Sequence, residues 1–235
     1  MKPTVIRPGV RRGYDLWAET YDTTENPLVF LDRKHTIGWL APRSGERILD
    51  VGCGTGVHLA AIHDSGAYPF GLDFSHGMLS RAALRVPGVP VFAADLHAPF
   101  PLKPDSFDGV LCALVSEHLR SMHDFCEEVK RVLRPGGRFD FSAFHPAMAE
   151  AGTEANFKVG DVEYRLGAEL HTLGDYRSAM ERTGFQVRRF EEYVCDDGVV
   201  MEIPRAAKYL GRPMLLLIEA VTSSYESPTV YSSRH

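Results

Sequence analysis

Between residues 46 and 144, short apolar runs alternate with stretches whose apolar positions recur every three or four residues. The runs are ERILDV, YPFGLD, VPVFAAD, FDGVLCALV and GRFDFSAF, and they are nearly continuous in Ile, Leu, Val and Phe. Strands covered by helices on both faces carry that pattern, whereas a half-exposed strand alternates apolar with polar. Helices are predicted from about Val57 and from about Ser75. The rhythm is therefore βαβ, and the expected sheet is twisted and parallel, with right-handed crossovers.

Local signals agree most fully near residue 121. Ser121 stands as an N-cap with Asp124 three residues on, and Phe125, Val129, Val132 and Leu133 form one stripe at i, i+4, i+7 and i+8. Pro135 forbids further helical bonding while Gly136 and Gly137 permit a tight reversal, so RPGG reads as a helix-to-strand turn. Upstream, Tyr14, Trp17, Ala18 and Tyr21 recur at helical spacing, and residues 28–40 form a second amphipathic candidate before the break from Pro42 to Gly45.

Downstream, residues 146–170 read as an irregular insertion. A helix over 174–183 closed by Gly184, a strand over 185–194, an irregular stretch to Pro213 and the strand MLLLIEAV follow. The polar tail from Thr222 is expected to fray. With no internal repeat, low-complexity tract or linker, the chain reads as one domain over 1–235. Its parts are a helical cap (1–45), a core (46–144), a region carrying the last strands (145–221) and a tail (222–235).

Composition narrows the function. Hydrophobic residues are 44% and charged residues 24% of 235, which excludes a disordered, collagen-like or coiled-coil chain. Lys and Arg number 26 against 31 Asp and Glu, a net charge of -5 that argues against a nucleic-acid partner. Lys2, Arg7, Arg11 and Arg12 lie in an arm broken by Pro and Gly and read as a solvated, mobile tail. Cys53, Cys112, Cys126 and Cys195 form no C-x-x-C pair, so neither a zinc knuckle nor a disulfide scaffold is expected, and a reduced cytoplasmic setting fits. The segment MKPTVIRPGVRRGY lacks an apolar stretch of signal-peptide length, and the run from Met214 to Ile218 is too short to span a bilayer. Neither export nor a membrane anchor is expected, and the sequence is silent on oligomeric state.

The chemistry gathers at the first run. Ile48 to Val51 is a buried strand carrying Asp50, and it passes through Gly52, Gly54 and Gly56 into a helix. Glycine there admits backbone conformations closed to other residues and lets a ligand approach the main chain. The helix that follows aims its unpaired N–H groups at the same spot. Twenty-one residues after Gly52 the second strand ends at Asp73, where nucleoside-binding α/β proteins hold ribose hydroxyls, and the third ends at Asp95. The spacing G-x-G-x-G differs from the dinucleotide fingerprint G-x-G-x-x-G, which leaves NAD as the runner-up cofactor.

With these motifs in this order, the chain resembles a class I S-adenosylmethionine-dependent methyltransferase of the small-molecule type, over about residues 46–144. ILDVGCGTG resembles the first motif, GLDFSHGML the second, AADLHAPFPLKPDSFDGVLC the third and fourth, and EEVKRVLRPGGRF the approach to the fifth strand. The resemblance implies a Rossmann-like, doubly wound, mostly parallel seven-stranded sheet, with N-terminal helices and an insertion after strand 5. MLLLIEAV would supply the antiparallel seventh strand. It also implies S-adenosylmethionine as cofactor, with Asp50 and the Gly52, Cys53, Gly54 and Gly56 loop around its methionine part. Asp73 would bind the ribose, Phe74 and Met78 would flank the adenine, and Asp95 and Leu96 would meet its polar edge. Tyr14 and Tyr21 in YDLWAETYD resemble an aromatic segment that caps the cofactor, although a helix packing on the core needs the same spacing.

No metal is required, because the sulfonium is already an activated methyl donor. The expected partner is a small-molecule acceptor, its reacting atom (O, N, S or C) left open, as is a place in secondary metabolism. His118, His145 and His171 flank segments expected near the transferred methyl and stand as candidates for proton transfer. Cys53 reads as a small packing residue rather than a nucleophile. The N-terminal helices and the insertion at 146–170 are the lid candidates. Two other readings are an NAD(P)-binding oxidoreductase and a non-catalytic scaffold that binds S-adenosylmethionine, since fold alone does not establish activity.

Overall fold

The described residues of the computed structural model run from Thr4 to Ser223. In chain order they form β1 (Thr4–Ile6), α1 (Val10–Trp17), a 3-10 turn (Tyr21–Thr23), α2 (Pro27–Leu40), β2 (Arg47–Val51), α3 (Val57–Asp64), β3 (Tyr68–Asp73), α4 (His76–Arg85), β4 (Val91–Ala93) and β5 (Phe107–Ala113). A second 3-10 turn (Ser116–His118), α5 (Met122–Val132), β6 (Leu133–Phe144), α6 (Pro146–Glu150), β7 (Asn156–Val159), β8 (Val162–Arg165), α7 (Leu173–Arg182), β9 (Gln186–Val194), α8 (Asp197–Glu202), a third 3-10 turn (Pro204–Tyr209) and β10 (Pro213–Val221) follow.

Seven strands make one sheet in the order β4-β3-β2-β5-β6-β10-β9. Neighbours from β4 to β6 pair in parallel, and β10 runs antiparallel to both β6 and β9, as expected of MLLLIEAV. The apolar runs are continuous because both faces are covered. Leu49, Val51, Val110, Cys112, Phe139 and Phe141 pack with residues of α5 and α7, while Ile48 and Leu111 pack on the other face with Leu40 of α2 and Ile62 of α3. Strand β10 divides in the same way, with Leu216 and Ile218 toward the first layer and Leu215 and Leu217 toward α2 and α8. In α5, the Ser121 hydroxyl accepts the Asp124 N–H, and Met122, Phe125, Cys126, Val129 and Val132 are buried.

Four expectations are corrected. RPGG lies inside β6: Leu133 pairs with Phe107 and Arg138 with Gly109, so the intervening residues bulge from the strand, with Gly136 at φ 77°. Residues 146–170 are not irregular but carry α6 and the β7–β8 hairpin, whose Phe157 stacks between Trp17 and Tyr164 at 4.9 Å on each side. The N-terminal arm is no solvated tail: β1 pairs in parallel with β8, Arg7 grips Glu154 through two 2.8 Å hydrogen bonds, and Arg11 lies over Phe74. Lys2 falls outside the described residues. The stretch before Pro213 contains α8 and a 3-10 turn, and Thr222, placed in the fraying tail, is buried and bonded to Arg134 and Gly137. In each case the missing information was a partner distant in sequence, for which no local period exists.

Candidate functional site

Since β2 has β3 and β4 on one side and β5 and β6 on the other, the crossovers diverge between β2 and β5, where open α/β sheets bind ligands beyond their carboxyl ends. A cleft opens there. Nine of the twelve residues expected to meet a cofactor line it: Tyr14, Tyr21, Gly52, Gly54, Asp73, Phe74, Met78, Asp95 and Leu96, together with Val115 and His118.

The glycine loop is shaped by the strand beside it. Gly52 and Cys53 both donate their N–H to the Leu72 carbonyl, and Gly52 sits at φ 78°. A Cβ at residue 52 would come within 2.3 Å of Val115 Cγ2, so only glycine leaves the cleft open. The Asp73 carboxylate accepts the Gly54 N–H through Oδ2 and the Ser75 N–H through Oδ1, both at 2.8 Å. Each oxygen keeps acceptor capacity for a ligand diol. Burial holds the Asp73 carboxyl above the usual carboxylate range despite these bonds. Asp95 is exposed at the cleft, bonded to His97 through both its backbone N–H and its ring.

Three expected residues do not line the cleft. Cys53 is buried in a cluster with Leu59, Leu79 and Ala82, and burial pushes its thiol well up. At Gly56, φ 80° gives the entry to α3, and an added Cβ would approach Ala82 Cα to 3.0 Å. Asp50 is buried, and neither carboxylate oxygen has a partner among the described residues. Burial pushes its carboxyl up to about 7, with Asp32 and Asp73 adding to the rise and His58 opposing it. Behind it, Asp32 accepts bonds from Thr36, Ser142 and His58, an arrangement that holds Asp32 down and His58 up against the opposing effect of burial on each.

The N-terminal segment is clamped onto this frame by two acids that the sequence analysis passed over. Asp15 accepts the Ser75 hydroxyl and the Gly77 N–H at the start of α4. Asp22 accepts the Thr55 hydroxyl and pairs with Arg33 and Arg85. Their one sequence signal was the repeated Tyr-Asp of YDLWAETYD. These clamps leave Tyr14 and Tyr21 as the partition between the cleft and a second, larger cavity of 470 Å³. That cavity is roofed by residues 153–158 of the hairpin region, floored by Leu114, Phe144 and Met148, and edged by Lys158, Arg205 and Lys208.

Of the three histidines, the structure brings one to the cleft. His118 lines it and shares a 2.9 Å hydrogen bond with the Tyr14 hydroxyl, and burial pushes its imidazole down to about 4. His145 caps α6, accepting the Ala147 N–H through Nδ1 and donating from Nε2 to Glu192. His171 donates to the Leu119 carbonyl. Neither lines the cleft or the larger cavity. Glu117, adjacent to His118, was missed. It lines the larger cavity with a buried, unpartnered Oε2.

Residues 49–141 match the family described as a methyltransferase domain. A demethylmenaquinone methyltransferase of Corynebacterium kroppenstedtii is 38% identical over 143 residues, which cover 57% of this chain and 59% of that protein. The chain thus spans about three fifths of the length of the curated relatives it matches. A crystal structure of an S-adenosylmethionine-dependent methyltransferase from Mesorhizobium loti is 28% identical with a TM-score of 0.67, covering 80% of this chain and 99% of that one. A Listeria monocytogenes structure, 22% identical, shares the fold at a TM-score of 0.71 over 84% of this chain and 100% of its own.

Proposed function

We propose that this chain, built on the class I methyltransferase fold around the methyltransferase domain at residues 49–141, transfers a methyl group from S-adenosylmethionine to a small-molecule acceptor. The carrying observation is the cleft itself. A carboxylate locked by two backbone N–H groups faces Phe74, Met78 and Leu96, beside a loop that has no room for a Cβ at residue 52.

The residues present fit the cofactor. Asp73 would hold the ribose diol, Phe74 and Met78 the adenine, with Asp95 and Leu96 at its edge, and the Gly52 to Gly56 backbone the methionine part. The paired oxygens of Asp50 are the buried polar atoms still unanswered beneath that loop. Bound there, S-adenosylmethionine supplies a methyl group activated by a positive sulfonium. The Asp73 carboxylate, bonded to the Gly54 N–H of the loop, suits a cation and repels a pyrophosphate, whereas Asp22 is already paired with Arg33 and Arg85. That disfavours NAD.

The protein's own part is to orient and to exclude water. Tyr14 and Tyr21 separate the two cavities, and β7 with the residues just before it roofs the larger one. Residues before 45 and those from 145 to 213 govern the acceptor, because they supply most of that cavity's wall, while the intervening sheet governs the cofactor. Incubation with methyl-labelled S-adenosylmethionine and a small-molecule extract tests the proposal. A labelled small molecule is expected. Binding of the cofactor without any labelled product would leave a non-catalytic scaffold, and a melting temperature raised by NAD alone would leave an oxidoreductase.

A further inference from the structure

The larger cavity is lined by a carboxyl group that no other described residue engages. Glu117, in the 3-10 turn after β5, lines the inner wall, and its buried Oε2 has no hydrogen-bond partner among the described residues. Buried polar atoms in folded proteins are nearly always paired, so an unpaired oxygen on a carboxyl that lines a cavity marks that residue as a partner for a ligand's donor. Tyr14, Tyr21 and Leu114 line both this cavity and the nucleoside cleft, and Glu117 lies within electrostatic reach of both tyrosines, on the larger cavity's side of that partition. Leu114 holds the unusual φ of 54° that turns the chain there.

Its surroundings favour a proton acceptor. Burial pushes the Glu117 carboxyl up to about 7. The titratable groups within its electrostatic reach are Tyr14, Tyr21, Tyr176 and Cys112, all pushed up by burial and neutral, and the adjacent His118, pushed down. The charged groups on the cavity's other walls are Glu25, Glu154, Lys158, Arg205 and Lys208. His118 is a poor alternative, because Tyr14 occupies its Nε2 and its proton affinity is low.

We propose, on the reading that the chain is a methyltransferase, that Glu117 is the proton acceptor of the reaction and that the methyl acceptor is a molecule whose reacting oxygen or nitrogen carries a removable proton. The acceptor atom forms its bond to the methyl carbon with its own electron pair, and the pair of the broken S–C bond stays on sulfur. The proton released by the acceptor goes to the Glu117 carboxylate. One carboxylate and one sulfonium thereby become a neutral carboxyl and a neutral thioether, so charge balances. The positive sulfonium favours ionised Glu117 before transfer, and its loss afterwards favours the proton staying there.

The test reads the carboxyl directly, by infrared difference spectroscopy and carbon NMR of glutamate-labelled protein titrated across neutral pH. A midpoint near neutrality is expected in the wild type and absent in Glu117→Gln. In wild type bound to sinefungin, whose amine carries the positive charge in place of the methyl sulfonium, the midpoint should lie about 1 to 3 units below that in the S-adenosylhomocysteine complex. Equal midpoints in the two complexes, or no such group, overturn the assignment even if both ligands bind. Failure of both ligands to bind by calorimetry removes the methyltransferase reading, and this inference with it. The wild-type comparison stands even if the Gln variant does not fold.

Discussion

Replacing Gly52 by alanine perturbs both fold and cleft, and its size can be worked from the geometry. The residue sits at φ 78°, a conformation that costs a side-chain-bearing residue about 1 to 2 kcal/mol. The new methyl would lie 2.3 Å from Val115 Cγ2, well inside ordinary carbon contact, and such overpacking costs about 1 to 3 kcal/mol. Together these give about 2 to 5 kcal/mol, or a fall of roughly 4 to 20 °C in Tm for a chain this size. Gly52→Ala/Val115→Ala should recover the overpacking part and leave the backbone part. Because both residues line the cleft, calorimetric affinity for S-adenosylhomocysteine should fall about tenfold or more in the single variant and partly return in the double. Scanning calorimetry of both variants supplies the stability half. A Gly52→Ala protein that melts and binds like wild type would refute the assigned loop conformation.

Asp73→Ala should weaken S-adenosylhomocysteine binding by roughly tenfold or more, since charge-assisted hydrogen bonds contribute about 1.5 to 3 kcal/mol each, and it should also lower Tm through the lost Gly54 and Ser75 bonds. Unchanged affinity would place the ribose elsewhere. Breaking the buried Asp32–His58 pair with Asp32→Ala should cost about 3 to 5 kcal/mol in chemical denaturation. The pair's pH dependence has two limits. His58, held above 6.5 in the fold, loses its contribution as pH rises through its folded value, and Asp32, held below 3.8, loses its own as pH falls through its folded value. The stability difference between wild type and His58→Gln should therefore be greatest between those limits, and a flat difference would deny the pair. His145→Gln and His171→Gln should leave methyl transfer near native, because neither ring reaches a cavity. A hundredfold loss in either would return histidine to the mechanism.

What the sequence by itself determined is everything that repeats within one element or one turn. Continuous apolar runs declared a sheet covered on both faces, a stripe at helical spacing declared α5, and glycines bounded by a strand and a helix declared the loop. Acids at two strand ends, Asp73 and Asp95, marked one wall of the cleft before any strand order was known. Tertiary structure decided what depends on partners far along the chain. Thr4 pairs with Val162, and Phe157 finds its neighbours in Trp17 and Tyr164, so the roof of the larger cavity had no local period to announce it. Asp32, His58 and Ser142 come from three separate elements and read individually as ordinary polar residues. Glu117 lay beside the histidine that drew attention in SEHL, and only the 3-10 turn after β5 decided which of the two faces the larger cavity. Periodic burial is written into neighbouring residues, whereas an unpaired carboxyl on a cavity wall exists only once the walls have met.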